Sequence, residues 1–222
     1  MSELLPVVVL ISGGGSNLQA IIDANLAGEL PIDIRAVISN VPEAYGLERA
    51  QKAGITTEVI KHTDFSNRED FDSALQTIID SYQPALIVLA GFMRLLSDDF
   101  VNHYRGRMLN IHPSLLPEFK GLNTHQRALE AHRAGLIKEH GGSVHFVTPD
   151  LDGGPVILQA SVPIKDDDST ESLAARVLIR EHQIYPLVIR WFAEGRLTLK
   201  GDQVFFDGQA LNQALSFDGL TL

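Results

Sequence analysis

The chain has 222 residues, 45% of them hydrophobic and 21% charged, the balance of an ordinary globular protein able to bury one sizeable core. Its formal net charge of −10 sets the surface against phosphate backbones, which argues against a general nucleic-acid binder and leaves room for a local basic pocket. It has no cysteine, so disulfides, thiolate metal sites and a Cys nucleophile are excluded together.

The opening stretch MSELLPVVVLISGGG puts an acidic residue ahead of a short apolar run and has no basic leader, so it does not read as a signal peptide. Together with the missing cysteines this gives a cytoplasmic expectation. PVVVLIS (6–12) is a continuous β-branched run bounded by glycines, the pattern of a strand buried on both faces. Leu18, Ile21, Ile22 and Leu26 then recur at helical spacing up to a stop at Gly28. The cycle repeats with a strand at 32–39, a helix at 44–54, a strand at 56–61, a helix from Arg68 to Tyr82, a strand at 85–91, a helix around 97–105 and MLNIH as the fifth strand. The longest apolar runs, such as ALIVLAGFM, are too short to span a membrane.

The second half changes character. A Pro- and Gly-bearing loop (113–124) leads to a helix around 125–135, two strand-like runs (GGSVHFVT and PVILQASVPI), a long helix over about 170–194 and a hairpin signal in LTLKGDQVFF. Strands alternating with helices predict right-handed crossovers and a parallel sheet. The fold class expected is therefore α/β: a Rossmann-like open, mostly parallel twisted sheet with helices on both faces and a mixed C-terminal part. One domain covers residues 1–222.

Three groups of residues carry candidate chemistry. The turn SGGGSN between the first strand and helix aims backbone N–H groups and a helix N-terminus at an anion. Its third glycine position holds Leu18 and strand two ends in SN, so it is neither a dinucleotide fingerprint nor a P-loop; it reads as a tight turn or as a seat for one phosphate. In NIHP, Asn110 and His112 lie at i and i+2 on one side of a strand that Pro113 closes. They are a hydrogen-bonded core pair, or an amide donor and a proton carrier converging on a carbonyl. In TPDLDGGP, Asp150 and Asp152 suit a turn, and a carboxylate near His112 would orient its ring. His140 and His145 lack a third ligand at zinc spacing, so no metal is expected, and Ser114 has no G-x-S-x-G elbow. ERAQKAG and KDDD read as solvated faces and turns.

The segments VLISGGGSNLQAIIDA, LAGFMRLLS, RMLNIHPSLLPEFKG, HGGSVHFVTPDLDGGPVILQA and EHQIYPLVIRWFAEGRL, in this order, resemble the phosphoribosylglycinamide formyltransferases of purine synthesis. NIHPSLLP with a downstream LDGGP marks the folate-dependent formyltransferase superfamily, and SGGGSN with EHQIYP narrows it to the glycinamide ribonucleotide branch. The resemblance implies formyl transfer from 10-formyltetrahydrofolate to the glycinamide amine of 5'-phosphoribosylglycinamide by direct attack, without a metal. By position it implies Asn110, His112 and Asp152 as the catalytic trio. It implies Gly15, Ser16, Asn17 and Glu181 around the phosphoribosylglycinamide. Around the folate it implies Arg68, Met93, Arg94, Leu95, Leu96 and Asn110, with the loop Thr148, Pro149, Asp150, Leu151 and Asp152. Residues 1–110 would then form a phosphoribosyl-binding half and 111–222 a folate-binding and catalytic half. The partners implied are these small molecules, with neither nucleic acid nor membrane, for a monomer or homodimer. Gly14, Lys120 and Pro149 depart from the residues expected in the family and bear on affinity and loop mobility.

Rivals on the same scaffold fit less of the chain. A methionyl-tRNA formyltransferase calls for a basic C-terminal domain, a formyltetrahydrofolate hydrolase for an N-terminal regulatory domain, and a sugar-nucleotide formyltransferase lacks this glycine turn. A non-catalytic nucleotide sensor would keep the trio as structure only.

Overall fold

Val7 to Ile11 are wholly buried, and successive side chains go to opposite faces, so the first strand alone feeds two cores. Val7, Val9 and Ile11 join one apolar cluster, Val8 and Leu10 the other. The computed structural model describes residues 4–220. The chain runs β1 (Leu5–Ile11), α1 (Ser16–Leu26), β2 (Ile32–Ser39), α2 (Tyr45–Lys52), β3 (Thr57–Val59), α3 (Arg68–Ser81), β4 (Leu86–Leu89), α4 (Asp98–His103) and β5 (Met108–His112). It continues with α5 (Thr124–Arg133), β6 (Glu139–Phe146), β7 (Val156–Pro163), α6 (Thr170–Ala193), β8 (Leu197–Lys200), β9 (Gln203–Phe206), β10 (Gln209–Ala210) and β11 (Leu215–Ser216).

The main sheet has the order β11-β7-β6-β5-β4-β1-β2-β3. Strands β1 to β5 are parallel, β6 is antiparallel to both β5 and β7, and β11 pairs parallel with β7. The expected open sheet with a mixed C-terminal part is thus the observed one. Helices α1, α2 and α6 cover one face, and α3 and α4 the other. The predicted hairpin forms as β8–β9 and, with β10, makes a small separate sheet. The return of the chain as β11 on the main sheet is not signalled in the sequence.

Helix α6 is the longest element and the chief clamp. Its Ser169 cap and Ser172 exchange the two hydrogen bonds of a capping box. The fully buried Tyr185 reaches the carbonyl oxygens of Leu89 and Leu109 at 2.9 and 3.0 Å, tying α6 to β4 and β5. Asp168, in the KDDD group expected to be solvated, is instead buried under the fork of Arg176, which holds its carboxyl well below the usual range. Among the described residues no helix is long and apolar enough to cross a membrane.

Candidate active site

The parallel order fixes where side chains converge. From β1 the chain moves to β2 and β3 on one side, then returns to β4 and β5 on the other. Such a reversal opens a crevice beyond the carboxyl ends of the strands. The glycine turn after β1 and the Asn110–His112 pair on β5 both lie at those ends.

At the turn, Gly15 has φ +69, a left-handed conformation, and caps α1 with no side-chain hydrogen bond. A Cβ there would stand 2.6 Å from the Gly46 Cα, so glycines at both positions let the starts of α1 and α2 touch. The Gly46 N–H donates to the Gly13 carbonyl at 3.0 Å. Arg49, read from the sequence as part of a solvated face, turns back and donates from Nε to the Gly14 carbonyl at 2.8 Å. A cation thus sits beside a helix N-terminus, a setting for an anion. Asn17 donates through Nδ2 to Glu181 Oε2 at 2.7 Å, and its own Oδ1 is buried without a partner. Burial raises the Glu181 carboxyl above the usual range, opposed by the Asn17 bond.

Glu181 reaches the site because β6 makes room for it. A Cβ on Gly142 would lie 3.1 Å from Glu181 Cγ and 3.7 Å from the His112 carbonyl oxygen. Only a missing side chain, therefore, separates the acid beside the glycine turn from the end of β5. Tyr185, one helical turn after Glu181, fixes that approach.

On β5, Asn110 and His112 stand opposite His145 and Ser143 of β6. Asp152 comes from the loop after β6 in a left-handed backbone conformation (φ 46) that Asp tolerates. Its Oδ2 lies 3.4 Å from His112 Nδ1 and accepts the Gly121 N–H at 2.9 Å. His112 Nε2 lies 3.1 Å from the carbonyl oxygen of Phe119. The two ring nitrogens of His112 thus face the Asp152 carboxylate and the Phe119 carbonyl. Asp152, distant in sequence, thus joins Asn110 and His112 of β5 in one cluster.

The sequence reading left His145 outside the site, and the structure corrects it. Its Nδ1 faces the Phe146 carbonyl oxygen at 2.9 Å and must carry the proton, since a carbonyl only accepts. Burial pushes its pKa down to about 4, against the pull of the Phe146 carbonyl and Asp152, so Nε2 is a bare acceptor near neutral pH. That nitrogen lies 3.1 Å from Asn110 Nδ2 and takes one amide hydrogen, fixing the amide's orientation and leaving the second. The 3.9 Å approach of His145 to Asp152 is accordingly not an ion pair. Ser143, also missed, has its hydroxyl on the Ser114 carbonyl at 2.6 Å and accepts the Leu116 N–H at 3.0 Å, shaping the turn after His112. A cross-strand register is the signal for both, and periodicity within one strand does not contain it.

The remaining predicted residues lie on three other segments. Met93 to Leu96 form an irregular segment after β4, with Met93 and Leu95 exposed. Thr148 to Leu151 lead into Asp152, and Leu151 is exposed as well. Exposed apolar side chains on both segments suit a planar heteroaromatic ring. Arg68 opens α3 on the surface, a turn before Asp72, whose buried carboxylate accepts the Ser97 N–H at 2.5 Å. Lys120 Nζ and Asp150 Oδ2 approach to 3.7 Å across the mouth. Among the described residues no group of three or more His, Asp or Glu could hold a metal ion.

The sequence pattern of the family described as formyl transferase matches residues 5–189. The chain belongs to the formyl transferase family. The phosphoribosylglycinamide formyltransferase of Escherichia coli (strain K12) is 56% identical to this formyl transferase over 205 residues, 92% of this chain and 95% of that one. The trifunctional purine biosynthetic protein adenosine-3 of Homo sapiens is 46% identical over 193 residues, 87% of this chain but 19% of the human protein. The solved phosphoribosylglycinamide formyltransferase of Coxiella burnetii, in complex with CHES, superposes with a TM-score of 0.89 at 58% identity, covering 96% of this formyl transferase and 100% of that chain.

Proposed function

We propose that this formyl transferase moves the formyl group of 10-formyltetrahydrofolate onto the glycinamide amine of 5'-phosphoribosylglycinamide, a step of purine (IMP) synthesis. The observation that carries the reading is the nearness of two groups: the buried Glu181 held by Asn17 of the glycine turn, and the Asn–His–Asp cluster, with a Cβ on Gly142 falling 3.1 Å from Glu181 Cγ and 3.7 Å from the His112 carbonyl oxygen. The names of the Escherichia coli and Coxiella burnetii relatives support it.

The roles follow from the contacts. N–H groups at the start of α1, around Gly15, Ser16 and Asn17, with Arg49 nearby, receive the phosphate. Glu181 accepts from the glycinamide end. Met93, Arg94, Leu95 and Leu96, Arg68, and the loop Thr148, Pro149, Asp150 and Leu151 hold the folate on the other side of Asn110. The amine attacks the formyl carbon, and the carbonyl oxygen gains negative charge. Asn110, oriented by His145, donates its free amide hydrogen to that oxygen, and His112 Nε2 leaves the Phe119 carbonyl to donate to it as well. The attacking nitrogen loses a proton, which His112 passes to the departing folate nitrogen, directly or through water, as the old C–N bond breaks. Asp152 orients the His112 ring and balances its charge. General acid–base help of this kind is worth about 10²–10⁴ in rate.

Both halves of the chain serve both ligands, because Glu181 joins the phosphoribosyl end and Met93–Leu96 the folate end. The reading places the protein in the cytoplasm with small-molecule partners, as monomer or homodimer and without nucleic acid or membrane. Purified protein with 10-formyltetrahydrofolate should release the folate product, followed by absorbance, only when the ribonucleotide is present. Release without it marks a hydrolase, and no release in either mixture returns the trio to a structural role.

A further inference from the structure

The crevice opens between β1 and β4, and one side chain spans its floor. Ser12 follows β1 directly and roots the glycine turn. Its N–H donates to the Gly91 carbonyl at 3.0 Å, and its hydroxyl oxygen accepts the Met93 N–H at 2.7 Å. A hydroxyl has one hydrogen, and here it is committed to Asn40 Oδ1 at 2.5 Å. Asn40, buried beyond the end of β2, has its Nδ2 3.1 Å from His62 Nδ1, a nitrogen that also stands 3.4 Å from the Asn40 carbonyl oxygen. The relay fixes the hydroxyl rotor and leaves its lone pairs for Met93, as linked hydrogen bonds do.

The two segments that Ser12 joins are held differently. The Gly13 and Gly14 carbonyls of the turn are tied to the Gly46 N–H and to Arg49, while its outer side is open, since a Cβ at Gly13 or Gly14 would meet nothing within 4 Å. Met93 heads an irregular segment whose far end is pinned separately, by the Asp72 carboxylate on the Ser97 N–H. An anion seated on the turn restricts its root, and restricting Ser12 restricts Met93. Order gained at one site then lowers the ordering cost at the other.

We infer that Ser12 is a positioning residue that couples the two substrate positions, so that the ribonucleotide on the glycine turn orders Met93–Leu96 through the Ser12 hydroxyl and tightens folate binding. This rests on the assignment of ligands to segments made above. The test is calorimetry of tetrahydrofolate binding with and without phosphoribosylglycinamide, beside steady-state constants. In the wild type the ribonucleotide should tighten tetrahydrofolate at least about fivefold, with the reciprocal effect equal, as linkage demands. Ser12→Ala should cut that factor below about twofold and raise the 10-formyltetrahydrofolate KM about tenfold, the worth of one well-made hydrogen bond. Its affinity for the ribonucleotide alone should change less than about threefold. Asn40→Ala keeps the Ser12 acceptor but frees its rotor, and should lose part of the coupling; it serves also if Ser12→Ala fails to fold. Asp72→Ala loosens the distant anchor, and should raise the same KM while retaining the coupling. Full coupling in Ser12→Ala, or in Asn40→Ala if that variant alone folds, overturns the inference. A wild type that binds both ligands without coupling overturns it alone; a wild type that binds neither overturns the reading of the site as well.

Discussion

Along one crevice the building material changes. The glycine turn is made of backbone: Gly15 in a left-handed conformation, a glycine-to-glycine contact with Gly46, and N–H groups at the start of α1. The β5–β6 end is made of buried side chains, His145 holding Asn110 and Asp152 facing His112. A backbone site depends on space, and the addition of one carbon damages it. A side-chain site depends on single atoms and on protonation, and the loss of one nitrogen damages it. The difference fits the tasks proposed for each end, since a phosphate needs only a rigid nest of donors whereas a migrating proton needs groups that titrate.

Substitutions should separate the two ends, and the largest effect belongs to the side-chain end. His112→Ala should lower kcat about 10³-fold, by lost proton transfer and charge stabilisation. Both KM values should stay within about threefold. A variant keeping a tenth of the turnover would break the comparison. Gly15→Ala should do the opposite, raising the ribonucleotide KM about 10²-fold and sparing the folate KM, because the new Cβ meets the Gly46 backbone at 2.6 Å.

Acid should act on the side-chain end through stability. His140 and His145 are buried and neutral, each with its pKa pushed down to about 4, chiefly by burial. The unfolded chain takes up their protons near pH 6.5 while the folded one does not, so stability is complete above that pH and falls as the pH drops toward 4. Each should cost about 2 kcal/mol by pH 5. Urea unfolding at pH 7 and 5 should show the loss, and His140→Gln should recover part of it. The smallest effect is that of Lys120→Ala. The Lys120–Asp150 pair is solvent-exposed, and its loss should change the folate KM less than about threefold, with no change left at about 0.5 M salt.

Most of the scaffold was legible because burial leaves periodic marks. IDIRAVIS has the same bounds in sequence and structure, and the helix expected from Arg68 to Tyr82 runs Arg68–Ser81 with Phe71, Leu75 and Ile79 buried. The two-residue β11 has no room for a period, so its return to the sheet left no trace. At the site, Asn110 and His112 could be paired because they share one strand. His145 could not be joined to Asn110, because 35 residues and a strand register stand between them. Arg49 and Asp168 sit in charged runs, and composition does not record whether a long side chain folds back on a turn or a fork closes over a carboxylate.

The most direct test of a single crevice that passes the formyl group straight to an amine is to follow the carbon. With 10-formyltetrahydrofolate carrying a ¹³C formyl group and phosphoribosylglycinamide in excess, mass spectrometry should find all the label on the glycinamide nitrogen, equal in amount to the tetrahydrofolate formed. Labelled formate in solution, or label retained on the folate, would contradict direct transfer.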